Sequence, residues 1–111
     1  MNFGGGSSGT APRVNKKTLS AYVGRTVALV GLVESHQPTA VVLRASDGGM
    51  VNVAPQPGSD YTSKYVEVIG RVKDSETIEE FKVTAFGEDF ALETYDQFVQ
   101  LAQTKYRHLF D

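Results

Sequence analysis

The chain has 111 residues, of which 41% are hydrophobic and 22% charged, a composition typical of a single globular domain. Its formal net charge of −2 argues against a protein that binds nucleic acid by phosphate neutralisation alone, since such proteins are usually basic. It contains no cysteine, which excludes disulfides and thiolate metal sites and favours an intracellular protein. We expect neither a signal segment nor a transmembrane helix, because no apolar run approaches about 20 residues.

The N-terminal part of the chain divides into a tail and a short helix. Residues 1–11 are rich in glycine and serine, and we interpret them as a flexible tail. Asn15 is a suitable N-cap for a helix over 16–23, and Gly24 fits the position just beyond its C-terminus. The residues of this helix that we expect to point inward are Leu19, Tyr22 and Val23.

Five strands are predicted in the next part of the chain, separated by glycine, proline and polar turns. They cover residues 25–34, 40–45, 50–53, 65–73 and 78–86, with turns at 36–39 and 46–49. Gly31 and Gly70 interrupt the first and fourth strands, which indicates a bend or a close approach of two backbones. The connection 54–63 leaves room for a short helix. Short strands with glycine kinks favour a small closed barrel, such as the OB-fold, over an open sheet.

The last predicted element is an amphipathic helix over 93–109. At the turn of an α-helix, a stripe about 120° wide collects most of its apolar residues, and Leu101 lies on one flank. The members of the stripe are Tyr95, Phe98, Val99, Ala102, Tyr106 and Leu109; the opposite, polar side includes Asp96, Gln100 and Gln103. A helix of this length is marginally stable alone, so the stripe must be buried, either on this chain or on a partner.

Several short motifs occur in a fixed order along the chain. They are PRVN at 12–15, VG at 30–31, HQPT at 36–39, SDG at 46–48, VEVIGRV at 66–72 and FGEDFAL at 86–92. As an ordered set they resemble the family of the smallest subunit of replication protein A, the eukaryotic single-stranded-DNA-binding heterotrimer. One departure is that Glu88-Asp89 runs directly into Phe90, where the family often has extra residues.

The resemblance implies an all-β fold with flanking helices: a five-stranded OB-fold barrel and a short N-terminal helix over 12–92, followed by a long C-terminal helix over 93–111. It implies a nuclear, structural subunit whose C-terminal helix forms a three-helix bundle with the middle and large subunits. Those subunits bind most of the DNA during replication, repair and recombination. On this interpretation the partner-binding residues are Tyr95, Phe98, Val99, Leu101, Ala102, Tyr106 and Leu109. No cofactor, membrane or small-molecule substrate is expected.

The sequence offers little for DNA binding or catalysis. OB-folds usually bind single strands on their second and third strands, which here contain no aromatic residue. Candidates for weak phosphate contacts are Arg13, Lys16, Lys17, Arg25 and Arg44. Neither histidine has a second metal ligand at a suitable spacing. The acidic pairs 79–80 and 88–89 would point to opposite faces of a strand. We therefore expect these acids to be solvated, no metal site, and no enzymatic activity.

Three alternatives remain open. The chain is similar in design to the small subunit of a telomeric single-strand-binding trimer, which a preference for telomeric repeats would reveal. It also fits a stand-alone nucleic-acid-binding barrel, which a titration of the isolated chain would identify. The third alternative is a homo-oligomeric module whose terminal helix self-associates, and sedimentation of the lone chain would detect it.

Overall fold

The computed structural model describes residues 11–103, and most of this part of the chain is β-sheet with two α-helices. In chain order, the elements are β1 (Arg13–Val14), α1 (Lys16–Leu19), a 3-10 turn (Ser20–Tyr22), β2 (Thr26–Gln37), β3 (Ala40–Ala45), β4 (Met50–Ala54), β5 (Tyr65–Asp74), β6 (Thr77–Gly87) and α2 (Leu92–Gln103).

The sheet is organised around the long strand β2. Residues 26–32 of β2 pair with β5, and residues 31–37 pair with β3. The sheet order is β1-β2-β3-β4-β6-β5. β5, the last strand in this order, also pairs with β2. β1 is parallel to β2 and β4 is parallel to β6, whereas the other pairs are antiparallel. This arrangement is consistent with an OB-fold.

Gly31 lies where β2 pairs with both β5 and β3, and it permits a close backbone approach. A Cβ atom at this position would lie 2.8 Å from the carbonyl oxygen of Arg44. At Gly70 an added Cβ would also collide with backbone, in this case the carbonyl oxygen of Glu79. The predicted close approach at both glycines is therefore confirmed.

The inner side of the sheet contains one cluster of buried, mainly aliphatic side chains. It includes Val14, Leu19, Tyr22, Leu29, Leu43, Val51, Val68 and Ile78. Asn15 caps α1: its side-chain oxygen accepts a hydrogen bond from the Thr18 backbone N–H, and its own backbone N–H donates to the Thr18 hydroxyl. This reciprocal capping fixes α1 and the following turn against the core.

Some predicted details were wrong. Val23 was expected to point inward, but it is 52% exposed because the backbone leaves helical geometry there, so the helical spacing no longer applies. His36 and Gln37 belong to β2 rather than to a turn, since they pair with the start of β3. Residues 55–64 contain turns and no helix. The two-residue strand β1 is too short to produce a recognisable periodicity.

Candidate partner-binding helix and nucleic-acid face

One face of α2 packs on the rest of the chain. Val99 is fully buried and Ala102 is 4% exposed, while Leu92, Tyr95 and Gln103 are partly buried along the same side. These positions recur at three- and four-residue intervals, as expected for one face of a helix. Two of the predicted partner contacts, Val99 and Ala102, are thus covered by the chain itself.

Asp96 lies on this inner face, although the periodicity placed it on the polar side. It is 7% exposed, and its Oδ1 accepts hydrogen bonds from Asn15 Nδ2 at 2.9 Å and Ser46 Oγ at 2.6 Å. Its Oδ2 accepts a third bond from Gln100 Nε2 at 2.7 Å. Burial alone would raise the pKa of Asp96, but these three bonds outweigh it and hold the pKa below its usual value.

Gln103 forms a second polar attachment between α2 and the N-terminal part of the chain. Its Nε2 donates to the backbone carbonyl of Arg13 at 2.8 Å, and its Oε1 accepts from the Tyr22 hydroxyl at 3.0 Å. Asp96 and Gln103 are seven residues apart, two helical turns, so the attachments fix both the position and the rotation of α2.

A row of aromatic rings connects the sheet to α2. Phe90 lies 6.0 Å from Tyr65, 5.2 Å from Phe86 and 5.7 Å from Tyr95, measured between ring centroids. The row continues from Tyr95 to Phe98 at 6.1 Å. Desolvation raises the pKa of the Tyr95 hydroxyl to about 12, with Arg13 opposing the shift and Glu67 adding to it. The tilted ring contacts pack the first turns of α2 against the sheet.

The other face of α2 presents an apolar surface to solvent. Phe98 is 38% exposed and Leu101 is 45% exposed, and the two are one helical turn apart. We call these two residues the outer ridge. The predicted contacts Tyr106 and Leu109 lie outside the described residues. The helix therefore has two apolar sides, whereas periodicity placed Phe98 in one stripe with Val99 and Ala102 and left Leu101 on the flank of that stripe.

The basic residues proposed for phosphate contact lie on separate elements. The guanidinium of Arg13 lies 5.6 Å from the centre of the Phe98 ring, and that of Arg25 lies 4.9 Å from the centre of the Tyr22 ring. Arg44 Nε forms an ion pair with Glu34 at 2.6 Å.

Lys16 and Lys17 lie at the start of α1, and their backbone N–H groups donate to the Asp47 carboxylate. Lys16 and Lys17 are therefore neighbours on α1, whereas the three arginines lie on other segments of the chain.

The outer face of β3 and β4 carries few groups that bind nucleic acid. Arg44 lies opposite Met50, and Val42 lies opposite Asn52. Met50 is 44% exposed, but neither strand contains an aromatic residue. Base stacking on aromatic rings, which supplies much of the affinity of single-strand-binding OB-folds, is therefore missing from this face.

Glu80 was predicted to be solvated, but it is 2% exposed. Its carboxylate accepts bonds from Ser59 Oγ at 2.6 Å, the Tyr61 hydroxyl at 2.9 Å and the Gln56 backbone N–H at 3.1 Å. Glu80 therefore attaches the connection 55–64 to β6. Alternation along β6 places Glu80 on the same face as the buried Ile78, but it could not identify the three donors, because they lie in an irregular segment.

The described part of the chain contains no metal-ligating cluster. Within residues 11–103, no group of three histidine, cysteine, aspartate or glutamate side chains is arranged to hold a metal ion. Across the same residues, neither helix has the length and apolarity needed to cross a membrane.

Comparison with known proteins identifies the family. The family described as Replication factor A protein 3 matches residues 7–110. The chain belongs to this family. It is 32% identical over 104 residues to one of the 14 kDa subunits of replication protein A from Arabidopsis thaliana, and the match covers 94% of this chain and 97% of the relative. The predicted resemblance to the smallest subunit of replication protein A is thus confirmed.

Solved structures agree with this assignment. A chain in the structure of U. maydis replication protein A bound to ssDNA is 31% identical, with a TM-score of 0.85, and the match covers 92% of this chain and 96% of that one. The telomere capping protein Ten1 from Saccharomyces pombe matches with a TM-score of 0.67 over 84% of this chain and 97% of its own. At 16% identity, the second likeness shows a shared fold alone.

Proposed function

We propose that the chain is an architectural subunit of a nuclear replication protein A complex, whose single-stranded DNA binding serves replication, repair and recombination. Its contribution is assembly, with neither catalysis nor principal DNA contact. The observation that carries this proposal is the two-sided helix α2, which is attached to its own chain along one face while Phe98 and Leu101 are exposed on another.

In this proposal the sheet holds the helix in a fixed position. The return of strand pairing to β2 supports a closed five-stranded OB-fold barrel over 12–92. A closed barrel has no free long edges and deforms little, so a helix attached to it through Asp96 and Gln103 is held at a defined angle.

We further propose that the outer ridge packs against helices of the middle and large subunits in a three-helix bundle. A bundle helix contacts two neighbours, and ridge positions one turn apart pack between the side chains of a facing helix. Complete burial of a large apolar side chain contributes roughly 1.5–3 kcal/mol. Phe98 and Leu101 are already more than half covered, so each has on the order of 1 kcal/mol left to gain from a partner.

The proposed mechanism is an increase in effective concentration. Subunits that each bind DNA moderately are held together by the bundle, so dissociation of one leaves the others bound and rebinding is fast. The β3–β4 face of this chain lacks aromatic residues, and its Arg44 is already paired to Glu34. Both features fit a subunit that adds little affinity of its own.

The test is co-expression of the three subunits, followed by affinity purification and sedimentation of the product. Phe98→Glu or Leu101→Glu should abolish co-purification, because each places a charge on the outer ridge. Phe81→Glu is the matched control, since Phe81 is 52% exposed but lies on β6. Circular dichroism should show that all three variants are folded, so that a loss of assembly is not a loss of folding. Normal assembly of either helix variant would refute the proposal.

A further inference from the structure

Arg13, which the sequence suggested as a phosphate contact, lies beside α2. Its backbone carbonyl accepts the hydrogen bond from Gln103, and its guanidinium lies 5.6 Å from the centre of the Phe98 ring. In β1 the neighbouring Val14 is fully buried in the core, so alternation along the strand places the Arg13 side chain on the outer side of the sheet. On that side it contacts the Phe98 ring of α2.

Glu67 lies on the same outer side, in the middle of β5. Its neighbours Val66 and Val68 belong to the inner core, whereas Glu67 faces outward opposite Val30 of β2 and is 7% exposed. A carboxylate at this depth is costly unless a nearby cation compensates its charge.

The charged and titratable groups near Glu67 come from three elements. They are Arg13 on β1, Lys82 on β6 and the Tyr95 hydroxyl on α2. Desolvation raises the pKa of Glu67, and the positive charges of Arg13 and Lys82 oppose this shift. Among residues 11–103, the ion pair within contact distance is Arg44–Glu34, so Arg13 acts on Glu67 through space.

We infer that Arg13 is a positioning residue for the partner-binding helix: its backbone carbonyl holds Gln103 and its guanidinium lies against the Phe98 ring of α2, and so it sets the orientation in which Phe98 faces a partner. The consequence for assembly rests on the proposed function, whereas the consequence for helix docking does not. Arg13 is thereby assigned to the helix interface and removed from the candidates for DNA contact.

Substitution of Arg13 should loosen α2 in the full chain alone. A cation–π contact at a partly exposed site corresponds to roughly a two- to fivefold change in an equilibrium constant. Arg13→Met keeps much of the length of the side chain and removes the charge, so amide hydrogen exchange in α2 should accelerate by about this factor. Arg71→Met, at an exposed position of β5 opposite Glu79, is the matched control and should leave α2 exchange unchanged.

A pH profile separates charge compensation from simple packing. Without Arg13, the folded-state pKa of Glu67 rises further. A carboxyl group with a raised folded-state pKa favours folding below its unfolded pKa, and this contribution is lost as the pH rises through the folded value. In urea unfolding, Arg13→Met should therefore lower the free energy of unfolding, relative to wild type, by more at pH 8 than at pH 4. Adding Glu67→Gln should remove that difference.

The outcomes are distinguishable. Two results would overturn the inference. One is a loss of unfolding free energy that is the same at both pH values and does not change when Glu67→Gln is added. The other is amide exchange in α2 that Arg13→Met leaves unchanged. If Arg13→Met does not fold, Arg13→Lys keeps the charge without the planar guanidinium and should retain the wild-type pH profile while accelerating α2 exchange. In the three-subunit complex, Arg13→Met should weaken assembly about two- to fivefold. If Arg13→Met loosens α2 but Phe98→Glu assembles normally, the inference stands and the proposed function fails.

Discussion

Asp96→Ala should detach the N-terminal half of α2 from the sheet. The substitution leaves two donors, Asn15 Nδ2 and Ser46 Oγ, without their acceptor in a site where Asp96 is 7% exposed. Hydrogen bonds to a charged group contribute about 1.5–3 kcal/mol each. The bond from Gln100 is discounted, because Gln100 is exposed and water can replace it. Taking the low end for two bonds, we expect a loss of about 3 kcal/mol in the free energy of unfolding.

Urea unfolding of the full chain at pH 7 measures this loss, with Glu93→Ala as the control because Glu93 is exposed on the same helix. The control should stay within about 0.5 kcal/mol of wild type. The pKa of Asp96 is depressed in the folded state, so its contribution is present above the unfolded pKa and disappears as the pH falls through the folded value. The difference in the free energy of unfolding between wild type and Asp96→Ala should therefore become smaller at acid pH. A loss below about 1 kcal/mol at pH 7, or a gap independent of pH, would refute the role assigned to Asp96.

Two further predictions concern DNA and the connection 55–64. In a fluorescence titration, the isolated chain should bind oligothymidine weakly and lose binding as salt is raised, because β3 and β4 lack aromatic residues; submicromolar affinity at physiological salt would contradict this. Tyr61→Phe should destabilise the chain by about 1.5–3 kcal/mol in urea unfolding, because the buried Glu80 carboxylate loses a hydrogen bond. Tyr65→Phe, which removes the hydroxyl of a half-buried tyrosine on β5, is its control, and equal stability of the two variants would show that the Tyr61–Glu80 bond is unimportant.

Much of the fold was predictable because it depends on local patterns. Alternation along the strands, the N-cap at Asn15 and the close approaches at Gly31 and Gly70 each follow from a few neighbouring residues. The ends of β2 were less predictable, since whether His36 and Gln37 continue the strand depends on pairing with β3.

The inner face of α2 was predicted least well, for a physical reason. Asp96 is buried because its hydrogen-bond donors come from Asn15, 81 positions away, and Ser46, 50 positions away. Helical periodicity treats a carboxylate as solvated, so it placed Asp96 on the polar side and put Val99 and Ala102 in one stripe with Phe98. The family resemblance then implied that the whole stripe binds a partner. Buried Glu80 was missed because its donors lie in the irregular connection 55–64, although alternation places it on the face of Ile78. Polar side chains that are satisfied over long sequence distances carry no signal in a local pattern.

The attachment of α2 has a consequence for the kinetics of association. In the proposed assembly, residues 92–103 already have their helical backbone fixed by Asp96 and Gln103 before a partner subunit binds. Peptide segments that fold as they dock lose conformational entropy at that step, which lowers their affinity for a given contact area. A pre-ordered helix avoids this cost for the residues concerned. Encounter should then resemble rigid-body docking, and dissociation should release a subunit that is ready to bind again.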